Sequence, residues 1–366
     1  MKIETVPVSG LEELARRARN FAVVPMTVHR ARSQMLNPLA RPGDVAMVTA
    51  WDEGRLVGYL GLIPAVLRHD GRRTRVAWMS GFFVAPELNG RGVGRRILQA
   101  ATALPVDIFT TLYTPTAGRV QEAAGFRVVG ELAYAVLDLR RAAPWNLVAS
   151  RIGLGAVRAS RALKRATAGP MRRLACRLLR RGLRAPAAEW ERVDQLPAGA
   201  AVPPSAEAEF ERGREVLNWM VGHPWIVEPG TLAEEPAPGY YFSNVREIFR
   251  YVPLVRRGAA AGGVEWLLLS LTRTDAITTL KVLDHAVADP AVAAAAVLEW
   301  GERLEAEVLV LPVEMAEPLR RVPLARAMLL AKRRPYMAHL RDPQGELARV
   351  LPCVRWHFCD SDAPFL

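Results

Sequence analysis

The order of apolar segments in this chain predicts an α+β fold arranged as two similar domains. Of the 366 residues, 51% are apolar, which is enough for more than one buried core. Each half contains alternating segments typical of strands, followed by helix, strand, helix and strand. We therefore interpret the chain as a duplicated fold, with a mixed, mainly antiparallel sheet and flanking helices in each copy.

Tight turns and prolines divide the first half into its elements. Asp52-Glu53-Gly54 and His69-Asp70-Gly71 are predicted hairpin turns, and Pro25 interrupts a helical period that runs from 11 to about 35. Pro115 stands near the start of a helix, where proline is tolerated. The predicted strands are 2–6, 45–52, 55–67, 75–84, 107–113 and 127–139, and the later helices are 94–103 and 115–124.

The second half repeats this order after a helix around Trp219 and a proline- and glycine-rich loop that ends at Gly239. The predicted strands are 246–256, 263–273, 275–287, 308–311, 336–340 and one near 350–358, and the helices are 290–306 and about 314–330. These segments predict a first domain at 1–140, a linker at 141–197 and a second domain at 198–366.

A glycine-rich turn joins the strand that ends at Val84 to the next helix, in the sequence FFVAPELNGRGVGRRILQA (82–100). Glycine lets the backbone approach a ligand closely and exposes consecutive N–H groups. The helix adds about half a positive charge at its N-terminus, and Arg91, Arg95 and Arg96 have the same sign. The turn therefore suits a pyrophosphate, and the alternative is a tight turn with exposed arginines.

Two motifs in this half resemble those of one enzyme family. The pattern VxPExxxxGxG at 84–94 resembles the acyl-CoA-binding motif of GNAT-type N-acetyltransferases, and AGRVQEAAGF at 117–126 is similar to the family's helix that ends in Gly-Phe. The resemblance covers about residues 1–140. Asn89 stands where the family usually has Arg or Gln. A Rossmann site is not indicated, because the loop has one Gly-x-Gly and no suitably spaced acidic residue follows.

The resemblance implies that acetyl-CoA or another acyl-CoA is the co-substrate. In the family the strand end pairs with the pantetheine amides, and the N–H groups of the loop hold the pyrophosphate. No metal is expected. Carried over to this sequence, the residues implied in CoA binding are Phe83, Val84, Asn89, Gly90, Arg91, Gly92, Val93, Gly94, Arg95 and Thr116.

The catalytic residues match the family less well than the CoA loop does. Acyl transfer to an amine needs a base for the amine proton, a donor for the thioester oxygen and an acid for the leaving thiolate. The family's acid is often a Tyr in the helix before Gly-Phe, but spacing puts Gln121 there, and an amide cannot protonate a thiolate. The strand 75–84 also has no Glu to act as base, and Thr116 replaces a frequent Asn.

Tyr113, Asp284 and His285 are the remaining candidates for this chemistry. Tyr113 ends a strand that lies beside the thioester in the family fold, and it is either the acid or a strand-end aromatic. Asp284 and His285 lie on the second domain's equivalent of the loop-bearing strand and are candidates to face across a domain interface. The alternative for His285 is a partly buried structural imidazole.

Two aromatic clusters in the second half have both a binding and a packing interpretation. His223 with Trp219 and Trp225 suits a sugar or another ring, although such tryptophans are more often core residues. The tail at 356–365, Trp-x-x-x-Asp-x-Asp-x-x-Phe, resembles the chain end of tandem-GNAT proteins in polysaccharide and amino-sugar biosynthesis.

The second domain lacks an equivalent glycine loop. Val287-Ala288-Asp289-Pro290-Ala291 stands in its place, where an acid would repel phosphate and a proline removes an N–H donor. We therefore expect a degenerate second domain that shapes an acceptor site and does not hold CoA in the usual way.

The net charge of +12 is concentrated in one segment, Arg140 to Arg184. This segment contains thirteen Lys or Arg residues and no Asp or Glu. Apolar residues at helical spacing predict two basic amphipathic helices, on either side of Gly169-Pro170. One interpretation is a linker packed on the domains with solvated arginines. The others are contact with an anionic membrane surface or with a polyanion.

The sequence therefore predicts an acyl-CoA-dependent N-acyltransferase that modifies a small amine, with an amino sugar as the first candidate. One alternative is a Fem-type aminoacyl-tRNA-dependent transferase, which also pairs two GNAT-like domains but has no use for a CoA loop. Another is a non-catalytic CoA-binding scaffold, which Gln121 favours. Nucleic acid is not an expected partner.

Composition also bears on the compartment. Cys176, Cys353 and Cys359 form no CxxC pair, and an odd, sparse set fits a reducing compartment. Neither a signal peptide nor an apolar run long enough to span a membrane is evident. We expect a cytoplasmic protein, peripheral on the inner face of the membrane if the basic segment binds lipid.

Overall fold

The structure is a computed structural model of the chain and describes residues 1–111, 113–142, 161–200, 208–231, 239–242, 244–256 and 264–365. Helices and strands are both abundant, which confirms the predicted α+β class. The strands are β1 (Lys2–Pro7), β2 (Val45–Asp52), β3 (Arg55–His69), β4 (Arg72–Val84), β5 (Asp107–Thr110), β6 (Arg127–Asp138), β7 (Glu191–Arg192), β8 (Ala208–Phe210), β9 (Ile248–Arg256), β10 (Glu265–Thr274), β11 (Ile277–Ala286), β12 (Val308–Pro312), β13 (Leu329–His339) and β14 (Val354–Arg355). The helices are α1 (Leu11–Ala18), α2 (Val28–Met35), α3 (Val93–Thr102), α4 (Pro115–Ala123), α5 (Arg161–Leu183), α6 (Arg214–Gly222), α7 (Pro290–Arg303), α8 (Val313–Arg320), α9 (Pro323–Arg326) and α10 (Glu346–Val350).

The chain forms two compact units, and each is assembled from separated stretches of sequence. Unit 1 consists of Met1–Leu132, Val202–Val245 and Arg334–Leu366, and unit 2 of Ala133–Ala201 and Arg246–Arg333. The consecutive domains 1–140 and 198–366 stay a prediction, and the compact units are divided differently.

Unit 1 is built on a sheet in the order β1-β2-β3-β4-β5-β13. All neighbours are antiparallel except β4 and β5, which are parallel. The predicted hairpin turns after β2 and β3 are present, with positive φ at Gly54 (78°) and Gly71 (74°), a conformation that glycine adopts without strain. Helix α3 covers the sheet by burying Ile97 and Leu98 in the core of the unit.

Unit 2 repeats this pattern of pairings. Its sheet runs β7-β9-β10-β11-β12-β6, antiparallel throughout except for the parallel pair β11 and β12. Helix α7 follows β11 as α3 follows β4, and it buries Val297 and Leu298 in the core of its own unit. The recurring order confirms the predicted fold class of two similar mixed sheets with flanking helices.

Strand exchange explains why the units are not consecutive in sequence. In unit 1 the partner of β5 is 337–339, from β13, with Ala338 opposite Phe109. In unit 2 the partner of β12 is 134–138, from β6, with Val136 opposite Val310. Each sheet is therefore completed by a strand from the other half of the sequence, which no local sequence pattern indicates.

Four predicted elements differ from the structure. The strand expected at 107–113 ends at Thr110, so that Tyr113 lies beyond it. The helix expected at 314–330 ends at Arg320, a second short helix ends at Arg326, and β13 then begins at Leu329. The strand expected near 350–358 is reduced to Val354–Arg355, after a 3-10 helix that contains Pro352. Helix α5 continues through Pro170, where the sequence predicted a break between two helices.

The basic segment is partly neutralised by acidic residues of unit 2. Arg172 forms an ion pair with Glu307, Arg177 lies 2.9 Å from Glu302, and Arg180 lies 3.3 Å from Glu299. On the same helix Cys176 and Leu179 are buried in the core of the unit. The first predicted helix, around 145–163, lies almost wholly outside the residues that the structure describes.

No helix in the described ranges is long and apolar enough to cross a membrane.

Candidate active site

A bulge in β4 shapes the site of unit 1. Leu60 of β3 pairs with Phe82 and Gly61 pairs with Ser80, so that Gly81 is the extra residue in β4. Its φ of +76° is a conformation that other residues rarely adopt, and a bulge of this kind bends the strand.

Beyond the bulge, strands β4 and β5 separate. Their parallel pairing covers 76–78 and 107–109 and stops there, although β4 continues to Val84. The backbone groups of 80–84 on that side therefore do not pair with β5, and unpaired backbone N–H and C=O groups need partners. An extended ligand with amide groups suits such an edge.

The glycine turn leads from this strand end into α3. Gly90 (φ 78°) and Gly92 (φ 79°) both have left-handed backbones with open space where a side chain would stand. Gly92 is the N-cap of α3, and no side chain caps the helix there. The first N–H groups of α3 thus lack a side-chain acceptor, as a phosphate-binding turn requires.

The predicted CoA-binding residues divide into three groups. Phe83, Val84 and Asn89 line a cavity beside the bulge. Gly90, Arg91, Gly92, Gly94 and Arg95 form the adjoining turn, whereas the side chain of Val93 is buried in the core. Thr116 is exposed on α4 and does not line the cavity; Thr114 does, and it caps α4 by accepting from the N–H of Ala117 at 3.2 Å.

The cavity has a volume of about 420 Å³, within the usual range for small-molecule sites. β4, the end of β5 and α4 form one part of its wall. Aromatic side chains form much of the rest, and Trp225 stacks on Phe365 with 4.0 Å between ring centroids. The aromatic residues of this second part are Trp225, Tyr240, Tyr241, Phe242 and Phe365.

A charged network lies in the same cavity wall. Arg30 Nη2 donates to Ser80 Oγ at 2.6 Å, and Ser80 Oγ donates to Asp362 Oδ2, also at 2.6 Å. Arg30 Nη1 donates to the Tyr240 hydroxyl at 2.7 Å, and the guanidinium lies over Trp225 at 4.2 Å from the ring centroid. The cavity therefore presents a cation and a carboxylate that one hydroxyl connects.

Tyr113 lines the cavity close to α4. Its ring packs where a Cβ on Gly118 would stand, at 2.9 Å, so that the glycine makes room for the ring. Burial raises the pKa of Tyr113, with a smaller contribution from Glu122, so the phenol remains protonated at neutral pH. Gln121, at the family's usual acid position, is buried, and its Oε1 has no partner among the described residues.

Asp284 and His285 lie in unit 2 and do not line this cavity. Asp284 is buried, and its Oδ1 accepts from the backbone N–H of His285 at 2.8 Å. His285 Nε2 lies 3.1 Å from Glu314 Oε1. Their assignment to catalysis stays a prediction.

The turn in unit 2 differs from the glycine turn. Asp289 is the N-cap of α7, and its Oδ1 accepts from the N–H of Ala291 at 2.8 Å. A carboxylate of the chain thus occupies the position that the turn of unit 1 leaves open.

Sequence reasoning missed most of the polar part of the site. In the sequence Arg30 is one of many arginines, and Ser80 lies in an apolar strand. A signal for Arg30 was its place in α2 between the buried residues Val28 and Ala31. Asp362 belonged to the tail motif at 356–365 but was given no role. In the described ranges, no group of three or more His, Cys, Asp or Glu could hold a metal ion.

Residues 11–107 match the family model described as the acetyltransferase (GNAT) family. No curated protein matches the sequence. Among solved structures, a GCN5-related N-acetyltransferase from Anabaena variabilis is similar at 11% identity and a TM-score of 0.49, covering 93% of this chain and 73% of that one. Eis1 from Mycobacterium abscessus is 15% identical (TM-score 0.47, covering 93% and 74%). Saccharomyces cerevisiae N-myristoyltransferase with bound myristoyl-CoA is 9% identical (TM-score 0.47, covering 92% and 82%).

Proposed function

We propose, from the match of residues 11–107 to the acetyltransferase (GNAT) family, that the chain transfers an acetyl group from acetyl-CoA to a small amine bound in the cavity of unit 1. The observation that carries the proposal is the parting of β4 from β5 beside an uncapped helix N-terminus. The first feature suits the amides of pantetheine, and the second suits its pyrophosphate. Both adjoin the cavity that would hold the amine.

The acyl-CoA supplies the thioester, and the residues of the cavity supply acid–base chemistry. Asp362 is the base that we assign to the ammonium proton of the acceptor, because its carboxylate lines the cavity and is held by Ser80 and Ser361. The amine nitrogen then bonds to the acyl carbon while the carbon–sulfur bond breaks, and the nitrogen loses its second proton. The thiolate takes up one proton, and one proton is released overall.

Tyr113 is the residue that we assign to the leaving thiolate. It lies between β5 and α4 at the cavity, and its phenol is protonated at neutral pH. The raised pKa also makes the phenol a weaker acid, so the expected contribution of Tyr113 is modest. Asp284 and His285 remain the alternative acid–base pair.

Calorimetric titration and a turnover assay test the proposal. We expect one acetyl-CoA to bind per chain, and we expect CoA release when amines, including amino sugars such as glucosamine, are added. Binding of tRNA without binding of CoA would favour the Fem-type alternative. Binding of CoA without turnover of any amine would favour a scaffold.

The exposed face of α5 favours a second, independent role in binding an anionic surface. Leu174 and Leu178 are 47% and 44% exposed, and Arg173 and Arg181 beside them have no acidic partner in the described ranges. Such a face suits the boundary of an anionic membrane, where each arginine contributes about 1 kcal/mol. Sedimentation with anionic and neutral vesicles tests this role.

The test variant is the double substitution Arg173→Gln and Arg181→Gln. The control variant is the double substitution Arg172→Gln and Arg177→Gln, because these two arginines already form ion pairs with Glu307 and Glu302. Only the first pair should lower vesicle binding. If the chain does not bind anionic vesicles at low salt, the arginines of this face are simply exposed to solvent.

A further inference from the structure

Arg30 is a buried cation without a carboxylate partner. Its side chain is 7% exposed, and in the described part of the chain it forms no ion pair. Of its five N–H donors, the hydrogen bonds to Ser80 and Tyr240 use two, and its buried Nε has no partner among the described residues. A buried charge normally has a partner of opposite sign, because removal from water is costly. The wall of the cavity is therefore suited to an anionic group of a ligand.

Asp362 supplies the opposite charge in the same cavity. Ser80 Oγ lies 2.6 Å both from Arg30 Nη2 and from Asp362 Oδ2, so the cation and the carboxylate are separated by one hydroxyl group. A ligand that engages both side chains would carry an anionic group and an amine a short distance apart. The α-amino acids have that arrangement, whereas an amino sugar has no anionic group to neutralise Arg30.

The aromatic residues of the cavity indicate which side chain the ligand carries. Trp225, Phe365, Phe242 and Phe83 present ring surfaces to the cavity, and such surfaces favour apolar and aromatic groups. We propose that the acceptor is a free α-amino acid with an aromatic or large apolar side chain, with its carboxylate at Arg30 and its amino group at Asp362. The inference rests on the proposed function, since it names the substrate class of the same site.

The experiment compares amino acids with their decarboxylated amines. L-phenylalanine is paired with phenethylamine, L-leucine with isoamylamine, and glucosamine serves as the sugar. Binding to the full chain is measured by calorimetry in the presence of CoA, and turnover is measured by CoA release from acetyl-CoA. We expect each amino acid to bind at least tenfold more tightly than its amine.

Variants of Arg30 test whether this residue causes the preference for an amino acid over its amine. Arg30→Met removes the charge and keeps an apolar stem, and it should reduce the preference for the amino acid to about onefold. Arg30→Lys retains a cation and should retain part of the preference. Unchanged CoA affinity and an unchanged thermal unfolding midpoint show that a variant is folded. If Arg30→Met does not fold, the comparison of each amino acid with its amine on the wild-type chain tests the inference.

Binding and turnover separate this inference from the proposed function. If phenylalanine and leucine bind no better than their amines, or if glucosamine binds best, the amino-acid assignment is overturned. If the amino acids bind preferentially but are not acetylated, the assignment holds and the proposed transferase activity fails.

Discussion

The two strand-to-helix turns of the molecule differ although the surrounding pairings are the same. β4 and β11 each contain one extra residue, Gly81 in the first strand and Leu283 in the second. After the bulge, the chain of unit 1 makes a long glycine turn into α3, whereas only residues 287–289 connect β11 to α7 in unit 2. The N-cap is Gly92 without a side-chain bond in unit 1 and Asp289, bonded to the N–H of Ala291, in unit 2.

The difference shows that the binding property belongs to the turn and not to the fold. A helix N-terminus attracts anions through its free N–H groups and its dipole. In unit 2 a carboxylate of the chain already occupies that position, so the same dipole stabilises the protein itself. The following variants test this contrast, from the largest expected effect to the smallest.

The first test asks which unit holds the acid–base chemistry. Asp362→Asn removes the assigned base, and general-base catalysis contributes typically 10²–10⁴-fold, so we expect kcat to fall by about that factor. His285→Ala in unit 2 is the comparison and should leave kcat within about threefold. CoA release under saturating acetyl-CoA measures kcat. A large loss of kcat in His285→Ala and a small one in Asp362→Asn would place the acid–base residues in unit 2.

The second test concerns the glycine turn. Gly92→Asp places a negative charge and a strained backbone where phosphate is expected, and CoA affinity should fall about 100-fold, or about 2.8 kcal/mol. Gly71→Asp is the matched control, because Gly71 has a similar φ (+74°) and equally open surroundings in a hairpin turn. Calorimetry should show wild-type affinity for the control. Equal losses in the two variants would attribute the effect to strain alone.

The third test removes the cap of unit 2. Asp289→Ala deletes the hydrogen bond to Ala291, and loss of an N-cap costs about 1 kcal/mol of the free energy of unfolding. Denaturant titration measures this cost. CoA should still bind at one molecule per chain, because the short segment 287–289 contains no glycine turn. The appearance of a second site would show that the carboxylate of Asp289 alone excludes CoA from unit 2.

The smallest effect on catalysis is expected at the family's usual acid position. Gln121→Ala should lower kcat by less than tenfold, about 1.4 kcal/mol of barrier, because an amide has no suitable pKa. Tyr113→Phe should have the larger effect of the two. A larger loss at Gln121 than at Tyr113 would remove the phenol from the mechanism.

The sequence predicted features that depend on local pattern. The hairpin turn at Gly71, the glycine turn at 89–94 and the bounds of α3 follow from glycine spacing and apolar periodicity, and the structure agrees within a few residues. The assignment of the predicted residues to CoA binding stays a prediction. The uncapped N-terminus was implied, because no Ser, Thr, Asp or Asn stands at position 92.

Features that depend on contacts between distant residues could not be predicted. Ser80 meets Asp362 across 282 positions, and Arg30 meets Tyr240 across 210. Each residue is ordinary in its own segment, and only the fold brings them together. The same holds for the exchange of β6 and β13, since strand patterns reveal which face is buried but not which strand is the neighbour.

The pairing of β5 with residues 337–339 has a consequence for synthesis of the protein on the ribosome. β5 emerges long before its partner, and at about 5–20 residues per second the intervening chain takes roughly ten to fifty seconds to translate. During that interval the nascent sheet has an open edge, which is a template for wrong pairing. We therefore expect the nascent chain to need chaperone protection until its last segment emerges, and a fragment of residues 1–140 to aggregate when expressed alone.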